Sequence, residues 1–443
     1  MSDPRIVRID ACEVLDSRGW PTISAEVVLA GGARGEAAVP AGASTGSHEA
    51  VERRDGGARY GGLGVRAAVR GVVEVLGPAV IGQDATEQGT IDEMLRRADS
   101  TPTLAKLGSN AVLAVSVATV LAAAAAAGQP LFEYLAATSG STPLLPMPMV
   151  NILSGGAHAG GLLDVQDFLV VPIGARDFTE AIEMAAAVRR ATAVSAERLG
   201  HSSALGADEG GLGLALDSNR AALDLLVSGI EGAGLVAGAD AAIAIDVAAN
   251  QLAAPDGYRL AAENRTLSGD QWQAELGDWV NAYPIVSLED VLAEDAWQDW
   301  ADVTRSLGAR VQLIGDDLFA TDTARLARGI EAGVANSILV KPNQVGTISD
   351  AADVIRAAVQ AGYTTVASAR SGDTEDNWLA DLAVGWAAGQ IKVGSTTRSE
   401  RTAKWNRLLR IEHALGSQAR FAGGQVLARS RTGVGAPVQE HNR

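Results

Sequence analysis

"PIVSLED", residues 284–290, is a short apolar run that stops on two carboxylates. A run of this length, closed by charge, reads as a strand buried on both faces. The arrangement recurs on either side. "AAIAID" ends at Asp246 and "VQLIGDD" at Asp316 and Asp317. "NSILVK" ends at Lys341, "YTTVASAR" at Arg370, and "QIKVGS" carries Lys392. These polar positions lie 22 to 43 residues apart, and most intervals hold a helical pattern such as "DTARLARGIEAG" or "SDAADVIRAAVQAG". Strand, helix, strand at this period predicts a parallel sheet. Polar groups on six successive strand ends predict a (β/α) barrel with its site at the carboxyl ends. A doubly wound sheet would collect its ligands at one switch point instead.

The chain has 443 residues and is 47% hydrophobic, enough for two domains and a large core. Its net charge is −17, from 53 acidic and 36 basic residues. That balance argues against a nucleic-acid partner, whose phosphates need clustered Lys and Arg. It leaves room for a small anionic substrate, because a few local cations dominate a site. A single cysteine, Cys12, permits no internal disulfide. The opening "MSDPRIVRID" lacks the apolar core of a signal peptide, so a reducing, cytoplasmic setting is expected. The run "AVLAVSVATVLAAAAAAG", residues 111–128, is mostly alanine and reads as a helix buried in protein rather than in a membrane.

The first 60 residues look β-rich, with "TISAEVVLA" and "ARGEAAVP" pairing around Gly31-Gly32. Residues 65–135 read as helices interrupted near Gly82 and Pro102. "STPLLPMPM", residues 141–149, is a proline-punctuated crossing, and the domain boundary is placed there: an α+β cap over 1–140 and a barrel over 141–443.

Asp246, Glu289 and Asp316 at one end of adjacent strands would converge and repel unless a cation joined them. Oxygen-rich sites of this kind suit Mg2+. Each carboxylate alone is as easily a helix cap or a surface ion pair. Lys341 and Lys392 end apolar runs, where a lysine is either paired with those carboxylates or tuned to lose its proton. "GADEGGLG", residues 206–213, puts Asp208 and Glu209 in a glycine-rich turn, and "NILSGGAHAG" offers His158 in another. A lone histidine is more often structural. "VPAGASTGSHEA", residues 39–50, is a small-residue loop without the Gly-Lys-Ser/Thr of a phosphate-binding loop.

Together the motifs resemble the enolase family. The match runs through "EVLDSRGWPTISAEV", "GASTGSHEA", "GGAHAG", "DVQDF", "DEGG", "SLED", "GDDLF", "KPNQVGT", "ARSGDTED" and "IKVGSTTRSERTAKWNRLLRIE". The resemblance implies an α/β fold: an N-terminal α+β cap and a C-terminal (β/α)8 barrel with a non-standard ββαα start. It also implies a homodimer or higher homo-oligomer and two Mg2+ ions. Asp246, Glu289 and Asp316 match the ligands of one ion, and Ser44 helps bind the other. Lys341 matches the base and Glu209 the acid of a β-elimination. His158, Gln166, Asp167, Arg370, Ser371 and Lys392 match substrate contacts, with Arg370 and Ser371 on phosphate.

The departures cluster. Ala369 stands where the family has histidine, Asp167 where it has glutamate, Ala41 where it has serine, Ala207 where it has glycine, and Trp20 where it has asparagine. Base, acid and metal residues are kept, and the changes gather at the phosphate and leaving-group ends. A specialised paralogue is therefore expected, acting on 2-phosphoglycerate or a bulkier phosphorylated or phosphonylated analogue. Carboxyphosphonoenolpyruvate synthases of phosphonate antibiotic biosynthesis are the class it suggests. The alternatives are an ordinary glycolytic phosphopyruvate hydratase and an enolase-fold binding protein without turnover.

Overall fold

The computed structural model describes residues 3–43 and 45–427. The cap opens with three antiparallel strands, Ile6–Leu15, Pro21–Leu29 and Arg34–Ala38. The predicted hairpin forms: Val28 pairs with Arg34 and Ser24 with Ala38. Gly32, at φ 87°, takes the left-handed turn that a side chain would resist. Helices Gln88–Asp99, Ser109–Ala127 and Leu131–Ser139 follow, broken where glycine and proline predict.

Ser109–Ala127 is long and apolar enough to cross a membrane, yet it is buried almost all round within the protein. It packs on strands Pro21–Leu29 and Arg34–Ala38 on one side and on Pro342–Val345 of the barrel on another. Alanine makes this possible, because small side chains let neighbouring backbones approach. At the closest point a Cβ on Gly35 would stand 2.1 Å from the Ala118 carbonyl oxygen and 2.4 Å from the Ala122 nitrogen. The cap also grips the barrel directly: Asp92 accepts from the Ser349 backbone N–H at 3.0 Å and its hydroxyl at 2.7 Å.

Eight strands close the barrel: Met147–Ser154, Asp167–Val171, Ala242–Asp246, Ile285–Glu289, Gln312–Gly315, Ser337–Val340, Thr364–Ser368 and Gly389–Gly394. The last pairs with the first, Gln390 beside Met147 and Lys392 beside Met149. The proline-rich crossing runs straight into that first strand, which contains Pro148. The second strand is antiparallel to both neighbours. Two helices, Phe178–Arg198 and Asn219–Gly232, separate it from the third, so the barrel starts ββαα. Thereafter strand and helix alternate as the spacing predicts. Several helices begin at a side-chain cap: Asp177, Ser218, Ser268, Asp322 and Thr347 each accept from a backbone N–H three residues on. Inside the barrel, Gln312 donates to Ser337, Thr364 and Gln390 and accepts from Ser287, a buried polar layer with its partners supplied from four other strands.

Gly35→Val is expected to force the Arg34–Ala38 strand off the helix. A loss of roughly 1–3 kcal/mol is expected from overpacking, read as a lowered denaturation midpoint. An unchanged midpoint would show that strand and helix part freely.

Candidate active site

Because the second barrel strand runs backwards, its first residue lies at the same end as the last residue of its neighbours. Asp167 sits opposite Asp246 in the ladder and opposite Ser154 on the other side. The charged ends of the remaining strands collect around it. Asp246 and Glu289 pair in register, and Asp316 follows the next strand.

The carboxylates do not simply face one another. Lys392 stands between two of them, its Nζ 2.6 Å from Asp246 Oδ2 and 2.8 Å from Glu289 Oε1. Lys341 Nζ lies 2.5 Å from Asp316 Oδ2. Asp316 groups instead with Asp290 and Asp317, whose carboxylates lie close enough to share a metal ion. Asp290 takes φ 42° and accepts from the Asp316 and Asp317 backbone N–H groups at 2.8 and 2.7 Å, which fixes where Asp316 points.

Burial dominates the protonation of these groups, and neighbours then separate them. It raises the Glu289 carboxyl far above its ordinary range, with the Asp246 charge adding to the shift. For Asp246 burial again pushes upward, but Lys392, joined by Lys341 and His158, outweighs it and holds the carboxyl low. Burial is the largest influence on Lys341 and disfavours its ammonium, and Arg370 and Lys392 add to that, but the charges of Asp316 and then Glu289 work the other way and leave the lysine raised above its ordinary value. Glu289 Oε2 is buried with no hydrogen-bond partner among the described residues. An orphaned carboxylate oxygen beside two further carboxylates suits a hard cation.

His158 lies in the turn Gly156–Ala159 and is buried. Its Nδ1 is 2.9 Å from Asp167 Oδ2, and its Nε2 is 4.0 Å from Glu209 Oε1. Burial alone would lower its pKa, but the charges of Asp167 and Glu209 lift it to about 9. Asp167 stands behind His158, its other oxygen taken by Asn151 and by Ser154 at 2.9 Å. Gln166 donates to Asp246 at 3.0 Å and accepts from Gln251 at 2.6 Å. Glu209 is carried by the glycine-rich turn the sequence marks. Asp208 N–H donates to the His158 carbonyl at 3.1 Å, and the Glu209 carbonyl accepts from Ser395 at 2.8 Å. Gly210, at φ 82°, lies so close to Thr397 that a Cβ would stand 2.9 Å from its carbonyl.

Arg370 is buried and anchored. Its Nη1 donates to Glu49 Oε2 at 2.8 Å and Asn343 Oδ1 at 3.1 Å. Ser371 Oγ accepts from the Ala43 N–H at 2.6 Å, and Ala41 and Gly372 exchange backbone hydrogen bonds. The loop through residues 40–50 is thus stitched to the strand end that carries Arg370. Ser44 lies outside the described residues. From below, buried Arg401 donates to the Arg370 carbonyl at 2.6 Å and the Ser371 carbonyl at 2.5 Å.

His158, Gln166, Glu209, Asp246, Lys341, Ala369, Arg370, Ser371 and Lys392 line one small cavity. Asp167, Glu289 and Asp316 lie outside that lining. A larger cavity, of about 500 Å3, opens at the other end of the barrel beside Tyr363, Gly389 and Arg420. It lacks the convergent charge that chemistry needs, so the smaller one is the candidate site. Sequence reasoning passed over Glu49, Asn343, Gln344, Asp290 and Arg401. Each sits in a quoted motif, but nothing in a one-dimensional pattern tells a loop glutamate that it will meet an arginine 321 residues on.

Comparison with known proteins agrees with this architecture. Residues 6–135 match the model of the enolase N-terminal domain, and residues 142–430 that of the enolase C-terminal TIM barrel domain. A protein of Mycobacteroides abscessus named "Enolase" is 49% identical over 427 residues, which is 96% of this chain and 98% of that one. With both domains matched and the charged strand ends gathered at one mouth of a ββαα barrel, the chain belongs to the enolase family of carbon–oxygen lyases.

Proposed function

We propose that the chain dehydrates 2-phosphoglycerate to phosphoenolpyruvate. The observation that carries this reading is the single cavity lined by Lys341, Glu209, His158, Lys392, Arg370 and Ser371. In this reading Arg370 and Ser371 receive the phosphate and Lys392 faces the carboxylate. Lys341 Nζ takes the α-proton, and the electron pair passes into the carboxylate. The β-carbon–oxygen bond then breaks as Glu209 gives its proton to the departing hydroxyl, with charged His158 beside it. Gln166 holds Asp246 in place, and Asp167 holds His158.

The family implies Mg2+. We assign Asp246, Glu289 and Asp316 to hold it, with Ser44 on a second ion, and the orphaned Glu289 oxygen supports that fit. When bound, the cation supplies positive charge against the second negative charge that forms on the carboxylate. Lys341 is held charged by Asp316. When Asp316 turns its charge elsewhere, burial and the nearby Arg370 and Lys392 charges favour the neutral amine that a base requires.

A second reading rests on Ala369. Its methyl group borders both the candidate site and an adjoining small void lined by Pro40, Asn343, Trp378 and Lys404. The family carries a histidine at this position, so a larger substituent on phosphorus would meet less obstruction here. The relative named plain enolase favours the ordinary substrate.

Lys341→Ala is expected to abolish exchange of the substrate α-proton with solvent deuterium and to lower kcat by about 10²–10⁴. Glu209→Gln should keep the exchange while blocking elimination. Exchange that survives in the Lys341 variant would place the base elsewhere. Mg2+ should raise the melting temperature of metal-stripped protein, and Glu289→Gln should remove most of that rise. A full rise in the variant would move the metal site. Wild-type protein is expected to turn over 2-phosphoglycerate in preference to carboxylated phosphonate analogues. If the preference is reversed, Ala369→His should cost the bulky substrate about five- to hundredfold in kcat/KM.

A further inference from the structure

We propose that Glu49 is a positioning residue that ties the phosphate end of the site to the Asp316–Lys341 pair. The inference rests on the reading above, in which Arg370 receives phosphate. Glu49 comes from the cap and reaches into the barrel mouth, where it is buried. Its two oxygens hold the Arg370 guanidinium as a fork, Oε2 at 2.8 Å from Nη1 and Oε1 at 3.3 Å from Nη2. Oε1 also accepts from the Gly46 N–H at 3.0 Å, so the same carboxylate folds its own loop. On its far side Gln344 Nε2 lies 3.4 Å from Glu49 Oε1 and donates to Asp316 Oδ1 at 3.0 Å. Asp316 in turn holds Lys341. Gln344 is itself pinned, its carbonyl accepting from Ala50 N–H at 2.8 Å and its side-chain oxygen from Thr321. Thr321 also accepts from the Lys341 backbone N–H at 2.9 Å. A continuous buried chain therefore runs Arg370, Glu49, Gln344, Asp316, Lys341.

The sign of Glu49's charge is what separates positioning from binding. A carboxylate next to an anion-binding arginine repels the anion, so phosphate affinity alone would disfavour an acid here. What it provides is direction: a planar guanidinium held in a fork by a carboxylate is fixed in one plane and one orientation. Gln344 then relays the same geometry to the carboxylate that holds Lys341. Removing the charge should leave phosphate binding intact or strengthen it, while turnover falls. Loss of a mere structural prop would move binding, turnover and stability down together.

The test uses the Mg2+-loaded full chain, with 2-phosphoglycerate for turnover and inorganic phosphate as the binding probe. Glu49→Gln is expected to lower kcat by roughly ten- to hundredfold, the scale of a lost charged hydrogen bond. Calorimetry should show phosphate bound as tightly as by wild type or more so, even though the buried Arg370 charge loses its counter-ion and the melting temperature falls. Gln344→Ala cuts the same chain beyond Glu49, so it should lower kcat without weakening phosphate, and it decides the matter if the first variant does not fold. The double variant should be no worse than the poorer single one, because both break one link. Wild-type kcat in either folded variant overturns the proposal. So does a parallel fall of kcat, phosphate affinity and melting temperature. Wild-type protein that leaves 2-phosphoglycerate untouched overturns the functional reading itself, a result distinct from both.

Discussion

Buried charge must be compensated, and in this protein that requirement organises the barrel mouth. Three carboxylates end adjacent strands, and two ammonium groups from later strands stand against them. The balance is not symmetric. Lys392 serves two carboxylates, and one Glu289 oxygen has no hydrogen-bond partner among the described residues. Lys341 pairs with Asp316 alone among the described residues. One lysine is therefore shared between two carboxylates, while the other makes its ion pair with one. The arrangement in turn depends on strand direction. Only an antiparallel second strand brings Asp167 to the mouth, where it orients His158 toward Glu209.

The cap is less a separate body than the missing wall of this site. Its loop supplies Glu49 to Arg370 and the Ala43 N–H to Ser371, and its long alanine helix lies against Pro342–Val345, the turn that follows Lys341. Arg401 and Lys404 of the helix Ser399–Leu415 hold carbonyls of the Arg370–Thr374 segment from the opposite side. The Arg370 end of the site is thus clamped between the cap loop and the helix Ser399–Leu415.

Much of this was legible in the sequence. The run of apolar segments from Asp246 to Lys392 announces six parallel strands, because a strand buried on both faces must be apolar and can be polar only where it ends. The first two barrel strands carry no such announcement. The first is hidden in a proline-punctuated crossing, and the second begins rather than ends at the mouth, so Asp167 precedes its apolar run. Their place came from family resemblance, which the domain matches bear out. Resemblance also marked Lys341, Glu209 and Arg370. It carried less far on substrate: the altered residue Ala369 suggested a specialised paralogue, whereas the relative of 49% identity is named plain enolase. The partners of the marked residues were illegible. Asp290 supports Asp316 through a left-handed backbone, and Glu49 meets Arg370 across the whole chain, and neither fact leaves a local trace.

The barrel closes by pairing Gln390 with Met147. During synthesis, then, the strand Met147–Ser154 is made early and its final neighbour very late. Through most of translation it has one unsatisfied edge, and the polar layer around Gln312 lacks Gln390. Long-range pairing of this kind is slow and leaves edges exposed to other chains. The cap, complete before any barrel strand emerges, presents the alanine helix on which Pro342–Val345 later settles. The order in which the ribosome releases the chain gives the nascent barrel a folded surface to build against before it can close upon itself.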